Sequence, residues 1–283
     1  MNDSIRPATY REEVTKYTKK DGIYALLYAG YILLLFSALV FVDTVFGLID
    51  FDNNIQNLLF RICLVPLFLA PIFVILKKKG QKIRSVGLHL TDWKKALCMG
   101  LFCVAVFLML HDGLLPGLLG GWQFNPPAVI VLTILPLLIM AALEDIAFIG
   151  FIQTRIYGLI KNNILAVVLV GFIFAALHYP SLISMNIENG GTWGGAFLGQ
   201  LALATSLFIG LHAFMNAIFR KYRSIIAVTL CHFAWNFATT GGLWEDVGEG
   251  GFDPAFSGGI GIWVILMAMF FVFPFFGKRK AAK

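Results

Sequence analysis

Charge is scarce in this chain. Of its 283 residues, 13% are Asp, Glu, Lys or Arg, against roughly 25% in an ordinary soluble domain. Apolar residues make up 59% and aromatic residues 14%, with 27 Phe, and mean hydropathy is +0.81. A soluble fold of this length cannot hide so much apolar surface, because its exterior still has to be hydrated. A soluble globular enzyme, a disordered protein and a nucleic-acid-binding domain are therefore excluded. The net charge of +6 does not call for nucleic acid, because the cations sit at the ends of apolar runs. Cysteine is also sparse. Cys63, Cys98, Cys103 and Cys231 lie in or beside apolar runs and form no CxxC pair, so they read as small buried hydrophobes without disulfides. Residues 1–22 are polar and mixed in charge, so no secretory signal peptide is expected. No repeat of fixed period and no low-complexity segment is visible.

Long apolar runs are abundant. Eight stretches occur, at about 23–48, 58–76, 96–119, 128–157, 163–179, 195–219, 225–240 and 258–277. A spanning helix needs about 20 residues, which leaves the fifth and seventh short and the fourth long. The connections alternate in sign. Basic residues fall in 1–22, in 77–95, at Arg155 and Lys161, at Arg220, Lys221 and Arg223, and in 278–283, and these segments hold 21 of the 22 Lys and Arg. The intervening loops carry Asp50, Asp52, Asp112, Glu188, Glu245, Asp246, Glu249 and Asp253. The positive-inside rule then places both termini in the cytoplasm. The expectation is an all-α polytopic membrane bundle of about eight transmembrane helices. A cytoplasmic segment 1–22 precedes a single transmembrane domain 23–277, and a basic tail 278–283 follows it. The stray cation Arg61 reads as a snorkelling or interfacially paired residue. The loop Lys77–Lys95 is expected to hold an interfacial segment around Val86-Gly87-Leu88, with Trp93 at headgroup depth. The Gly-rich loops 190–195 and 241–259 read as flexible connections.

Against this apolar background the deep polar residues carry the information. An ionisable group at mid-membrane costs about 2.5–3.5 kcal/mol on insertion scales, and is retained where it is paired or faces a wet cavity. The fourth stretch contains Glu144-Asp145 in Leu143-Glu144-Asp145-Ile146. Adjacent helical residues are about 100° apart, so both carboxylates cannot avoid the bundle interior, and such a pair suits proton transfer by a general base. The fifth stretch ends Phe174-Ala175-Ala176-Leu177-His178. The seventh contains His232 and Asn236, four residues apart and on one helical face. His212 and Asn216 repeat this spacing in the sixth stretch, where interhelical hydrogen bonding is the expected role.

Taken in order, these residues resemble the CPBP intramembrane proteases, also called the ABI or type II CAAX prenyl protease family. Its pattern is EExxxR, FxxxH, then HxxxN or HxxxD on successive helices. Glu144-Asp145 opens the first motif, Phe174-xxx-His178 matches the second and His232-xxx-Asn236 the third, within residues 128–240. Gly150 and the short basic loop before Ser224-Ile225-Ile226-Ala227 agree with the family context, which favours His232 over His212. Two positions depart: Asp145 stands for the second glutamate and Ile149 for the arginine, so Asp145 has no cation at i+4 and is either protonated or paired from another helix. The resemblance implies that Glu144 activates water, that His178 holds that water or shares its proton, and that His232 and Asn236 stabilise the oxyanion, with Asp145 and Phe174 in support. It also implies a possible zinc site on Glu144, His178 and His232, although no cofactor is required and an amide-donating Asn236 fits the metal-free scheme better. The implied partners are membrane lipid and a hydrophobic or lipidated peptide or protein, and the implied location is a prokaryotic cell membrane. Two other classes stay open. One is a catalytically impaired family member acting as a bacteriocin-immunity or partner-binding protein. The other is a proton-coupled transporter, which an inverted repeat would support; the polar residues instead crowd one half of the chain.

Overall fold

The computed structural model describes residues 10–48, 54–90, 92–109, 122–188, 190–239 and 244–246. The elements are α1 (Tyr10–Val14), α2 (Lys19–Phe46), α3 (Asn54–Lys78), α4 (Trp93–Phe107), β1 (Trp122–Phe124), α5 (Pro127–Asp145), α6 (Asn163–Glu188), α7 (Gly195–Tyr222), α8 (Ile225–Thr239) and β2 (Trp244–Asp246). Beyond Asp145 the α5 backbone continues without interruption as a π-helical stretch, Ile146–Ile152, and two short turns ending at Gly158.

Among the described residues five helices are long and apolar enough to cross a membrane: Lys19–Phe46, Ile55–Lys78, Pro127–Gly158, Asn163–Glu188 and Gly195–Tyr222. The bundle is that of an integral membrane protein. Of the eight expected stretches, the third is described only as the 15-residue α4, and the seventh forms the 15-residue α8. The eighth, 258–277, lies outside the described residues, as do the basic tail and most of the loop 241–259. The fifth stretch is longer than its sequence indicates. It runs through Pro180 to Glu188, giving 26 helical residues. A proline removes one backbone donor, but within a membrane bundle neighbouring groups can satisfy the carbonyl it frees.

Each helix turns one narrow stripe inward. On α2 the stripe is Ala25, Tyr28, Ala29 and Ile32, while Leu27, Leu34 and Phe41 face outward, as a lipid-facing surface requires. Because lipid is as apolar as leucine, close approach rather than hydrophobic transfer holds such helices together. Small residues at the contacts permit it. Ala96, Gly100 and Cys103 form the buried stripe of α4, and a Cβ on Gly100 would strike Leu230 of α8 at 2.6 Å. Gly171 gives α6 the same closeness to Ile209 of α7. Tyr28 adds a hydrogen bond across helices to the Phe68 carbonyl, 2.8 Å. Cys103 and Cys231 are buried as expected, but Cys63 and Cys98 are exposed on the surfaces of α3 and α4, where a thiol sits as readily against lipid.

The basic connections converge at one end of the bundle. Lys79 pairs with Asp21 at 3.4 Å, Gln81 donates to the same carboxylate, and Arg223 pairs with Glu13 at 3.6 Å. The segment expected to be interfacial is folded against this end. Gly87 has φ +82°, and a side chain there would meet Phe219 at 2.5 Å and the Ile225 amide at 3.1 Å, so only glycine fits. Its carbonyl accepts from Ile225 N, and His89 Nε2 reaches the Arg223 carbonyl at 2.6 Å. At the opposite end β1 and β2 pair antiparallel, Phe124 opposite Trp244 and Trp122 opposite Asp246. A ladder this short leaves no periodic signal in the sequence.

Candidate active site

The site grows from the middle of α5. The backbone changes from α- to π-helical directly after Asp145, and single π turns recur at functional positions because they re-aim side chains. Glu144 and Asp145 are both buried, 5% and 1% exposed. Both face His232, which α8 brings in on its buried side and which is 1% exposed. Asp145 Oδ1 lies 3.0 Å from His232 Nδ1, and Glu144 Oε2 lies 3.5 Å from His232 Nε2. One imidazole is thus held between two carboxylates, one on each ring nitrogen.

This geometry accounts for one departure from the family pattern. Asp145 is not left waiting for an arginine at i+4, because its partner is the histidine of another helix. A carboxylate that accepts from Nδ1–H fixes the ring orientation and tautomer and points Nε2 toward the reacting side. Ile149, at the arginine position, is fully buried in the apolar core. A cation does come near the site from elsewhere. Arg61 lies on the inward stripe of α3 with Leu64 and Phe68, donates from Nε to Asn57 Oδ1 at 3.0 Å, and is within electrostatic range of Glu144. The snorkelling expected from its sequence position gives way to an inward-facing role. No local motif could have found this, because Arg61 and Glu144 are joined only by the packing of α3 against α5.

Phe174 is the hub between the remaining imidazoles. Its ring centroid lies 5.1 Å from His178, 5.8 Å from His232 and 6.1 Å from His212. His178 donates from Nδ1 to the Phe174 carbonyl at 3.0 Å and stacks on Phe208 at 3.9 Å. With Nδ1–H so engaged, Nε2 is the nitrogen available for exchange with water. Glu144, Asp145 and His232 are thus in direct contact, whereas His178 packs on the Phe174 ring that also packs on His232. Asn236 is half-buried one turn beyond His232 on α8. His212 has the expected interhelical role, its Nε2 lying 2.8 Å from Gln153 Oε1 inside the bundle.

Among the described residues no three His, Cys, Asp or Glu side chains gather as a metal-holding group.

The other end of the π stretch is built differently. Arg155, expected as a loop cation, is 1% exposed. It donates to the Gly150 carbonyl at 3.0 Å, to Thr154 Oγ1 and Ser85 Oγ at 2.6 Å, and twice to Gln81 Oε1 at 3.0 and 3.3 Å. Its guanidinium also lies over the rings of Tyr17 and Phe151. Gly150 makes this possible, since a Cβ there would meet the Val86 carbonyl at 2.5 Å. The loop of residues 81–87 is thereby clamped to the helix that carries the carboxylates.

Fold and site together define a polytopic membrane protein with a buried carboxylate–imidazole centre on α5 and α8. Residues 126–238 match the family model of the type II CAAX prenyl endopeptidase Rce1-like proteins. The match supports the resemblance to the CPBP family, and it spans every motif on which that resemblance rests. No curated protein and no solved structure gives a match.

Proposed function

We propose that this protein is an intramembrane endopeptidase that hydrolyses a peptide bond in a membrane-associated, hydrophobic or prenylated substrate. The observation that carries the reading is His232 held between Glu144 and Asp145, inside the segment that matches the prenyl endopeptidase family. Glu144 acts as the general base toward water, a role that typically contributes about 10²–10⁴-fold. His178 holds that water or takes part of its proton through Nε2. Asp145 fixes His232, and when His232 carries its second proton, Nε2–H can donate to the oxyanion together with the Asn236 amide, each such donor adding about 10²–10³-fold. Membrane lipid surrounds the site, and the chain crosses the membrane eight times with both termini in the cytoplasm of a prokaryotic cell. The segment 1–22, the transmembrane domain 23–277 and the tail 278–283 divide it.

The test is purified protein reconstituted with a library of membrane peptides. Wild type is expected to cleave a subset, and Glu144→Gln to lose cleavage by about 10²-fold or more. Equal cleavage by Glu144→Gln rejects Glu144 as the base. A second reading rests on Ile149: a chain lacking the family arginine has lost turnover and acts as an immunity or partner-binding protein. It requires that Glu144→Gln/His232→Ala keep the full biological effect.

A further inference from the structure

A second polar feature lies at the basic end of the bundle, remote from the carboxylates. Here α1 roofs a cavity of about 620 Å³. The walls come from the ends of three spans: Tyr157 at the end of the α5 helix, Asn163 at the start of α6, and Arg220 in the last turn of α7. Arg11 from α1 and Lys161 from the connecting loop complete it. Three cations thus line one cavity, and among the described residues no carboxylate does. The acid on α1 that faces inward, Glu13, is turned away onto Arg223 and Tyr17.

The cavity is constructed rather than incidental. Tyr10 packs edge-on against Tyr157 at 5.9 Å, and the Arg220 guanidinium lies 5.2 Å from the Tyr10 ring. The Tyr157 hydroxyl donates to Asn163 Oδ1. Tyr10 is 6% exposed, and its hydroxyl sits beside that of Tyr157 in the wall of the cavity. Three cations converging on one cavity call for an anion with several acceptor oxygens, which is the chemistry of a phosphate. The depth names the source. Because the walls are the ends of membrane spans on the lysine- and arginine-rich side, the cavity opens at headgroup level, where basic pockets between helices bind anionic lipid.

We propose that this cavity binds the phosphate of an acidic phospholipid headgroup. The site is independent of the peptidase reading and stands or falls without it. The test uses the purified full chain in detergent, titrated with phosphatidylglycerol or phosphatidylcholine of the same acyl composition and followed by native mass spectrometry. Phosphatidylglycerol is expected to be retained over phosphatidylcholine. Arg11→Gln/Lys161→Gln changes two exposed side chains and should weaken that retention about 30-fold, since each cation near the surface contributes about fivefold. Lys77→Gln/Lys78→Gln removes the same charge from the same end of the bundle outside the cavity and should leave retention unchanged. Equal retention by wild type and the Arg11/Lys161 variant overturns the site. Equal losses in both double variants overturn it too, because they show diffuse surface charge. Displacement of the lipid by micromolar inorganic phosphate overturns the lipid source and makes soluble phosphate the ligand.

Discussion

The helix running from Pro127 to Gly158 carries two buried polar clusters, and they are built on opposite principles. At Arg155 each of the three guanidinium nitrogens has an acceptor: Gln81, Gly150, Thr154 and Ser85 supply them, and two aromatic rings flank the group. At Glu144 and Asp145 two carboxylates share a single imidazole, and Thr229 is the one further side chain beside Asp145 that can donate to it among the described residues. A saturated network rigidifies, whereas an unsaturated one keeps capacity for a substrate or a water. The comparison separates scaffold from candidate chemistry within one helix, and the π stretch between the two is where the backbone passes from one task to the other.

Substitutions at the two ends should therefore fail in different ways. The largest effect is expected at the carboxylate end: Glu144→Gln should lose about 10²-fold or more of cleavage while its thermal midpoint in detergent holds or rises, because a buried charge has been removed. A fall in midpoint with cleavage retained would reverse the assignment of the two clusters. Arg155→Met should do the opposite and destabilise the fold by about 1–3 kcal/mol or more, since it leaves the part-buried Gln81 and buried Gly150 acceptors unsatisfied; chemical unfolding in detergent reads this directly. Asp145→Asn keeps an acceptor for His232 Nδ1 but removes the charge, and should reduce cleavage by about 10–100-fold with little change in midpoint. Arg61→Gln tests the cation that reaches Glu144 from α3: cleavage should shift its pH profile with a smaller loss than Asp145→Asn gives. An unmoved profile would make Arg61 purely structural.

The smallest effect concerns the clamp at the basic end. Burial holds the His89 imidazole below its usual range, partly offset by its bond to the Arg223 carbonyl. A histidine with a depressed folded value contributes stability that is complete above its unfolded pKa and is lost as pH falls through that pKa toward the folded one. Thermal midpoints should therefore decline slightly from pH 7.5 to 5.5, and His89→Gln should flatten that decline.

Legibility in the sequence followed the range of the interaction. Apolar runs, their flanking cations and the His232-xxx-Asn236 face are local patterns, and they were readable because helix geometry fixes them within a few residues. Where a local signal existed but misled, the cause was tertiary. The fifth apolar stretch ends at about residue 179, yet α6 continues through Pro180 to Glu188 in the bundle. Arg155 reads as a loop cation, yet Gln81 and Ser85 from a loop about 70 residues earlier bury it. The spacing of His212 and Asn216 equals that of His232 and Asn236; sequence context favoured the second pair, and the neighbours, Gln153 for His212 and the two carboxylates for His232, show how the two differ.

The amino-acid sequence by itself determined that this protein lies in a membrane, roughly where its described helices run, and which polar residues resist the apolar background, because partitioning and helical periodicity depend on composition and short-range order. Only the tertiary structure decided that Asp145 takes His232 in place of an arginine, that Arg61 comes within electrostatic range of Glu144, and that three span ends enclose a cationic cavity. Those contacts join residues up to about two hundred positions apart, and only the packing of helices against one another sets such distances.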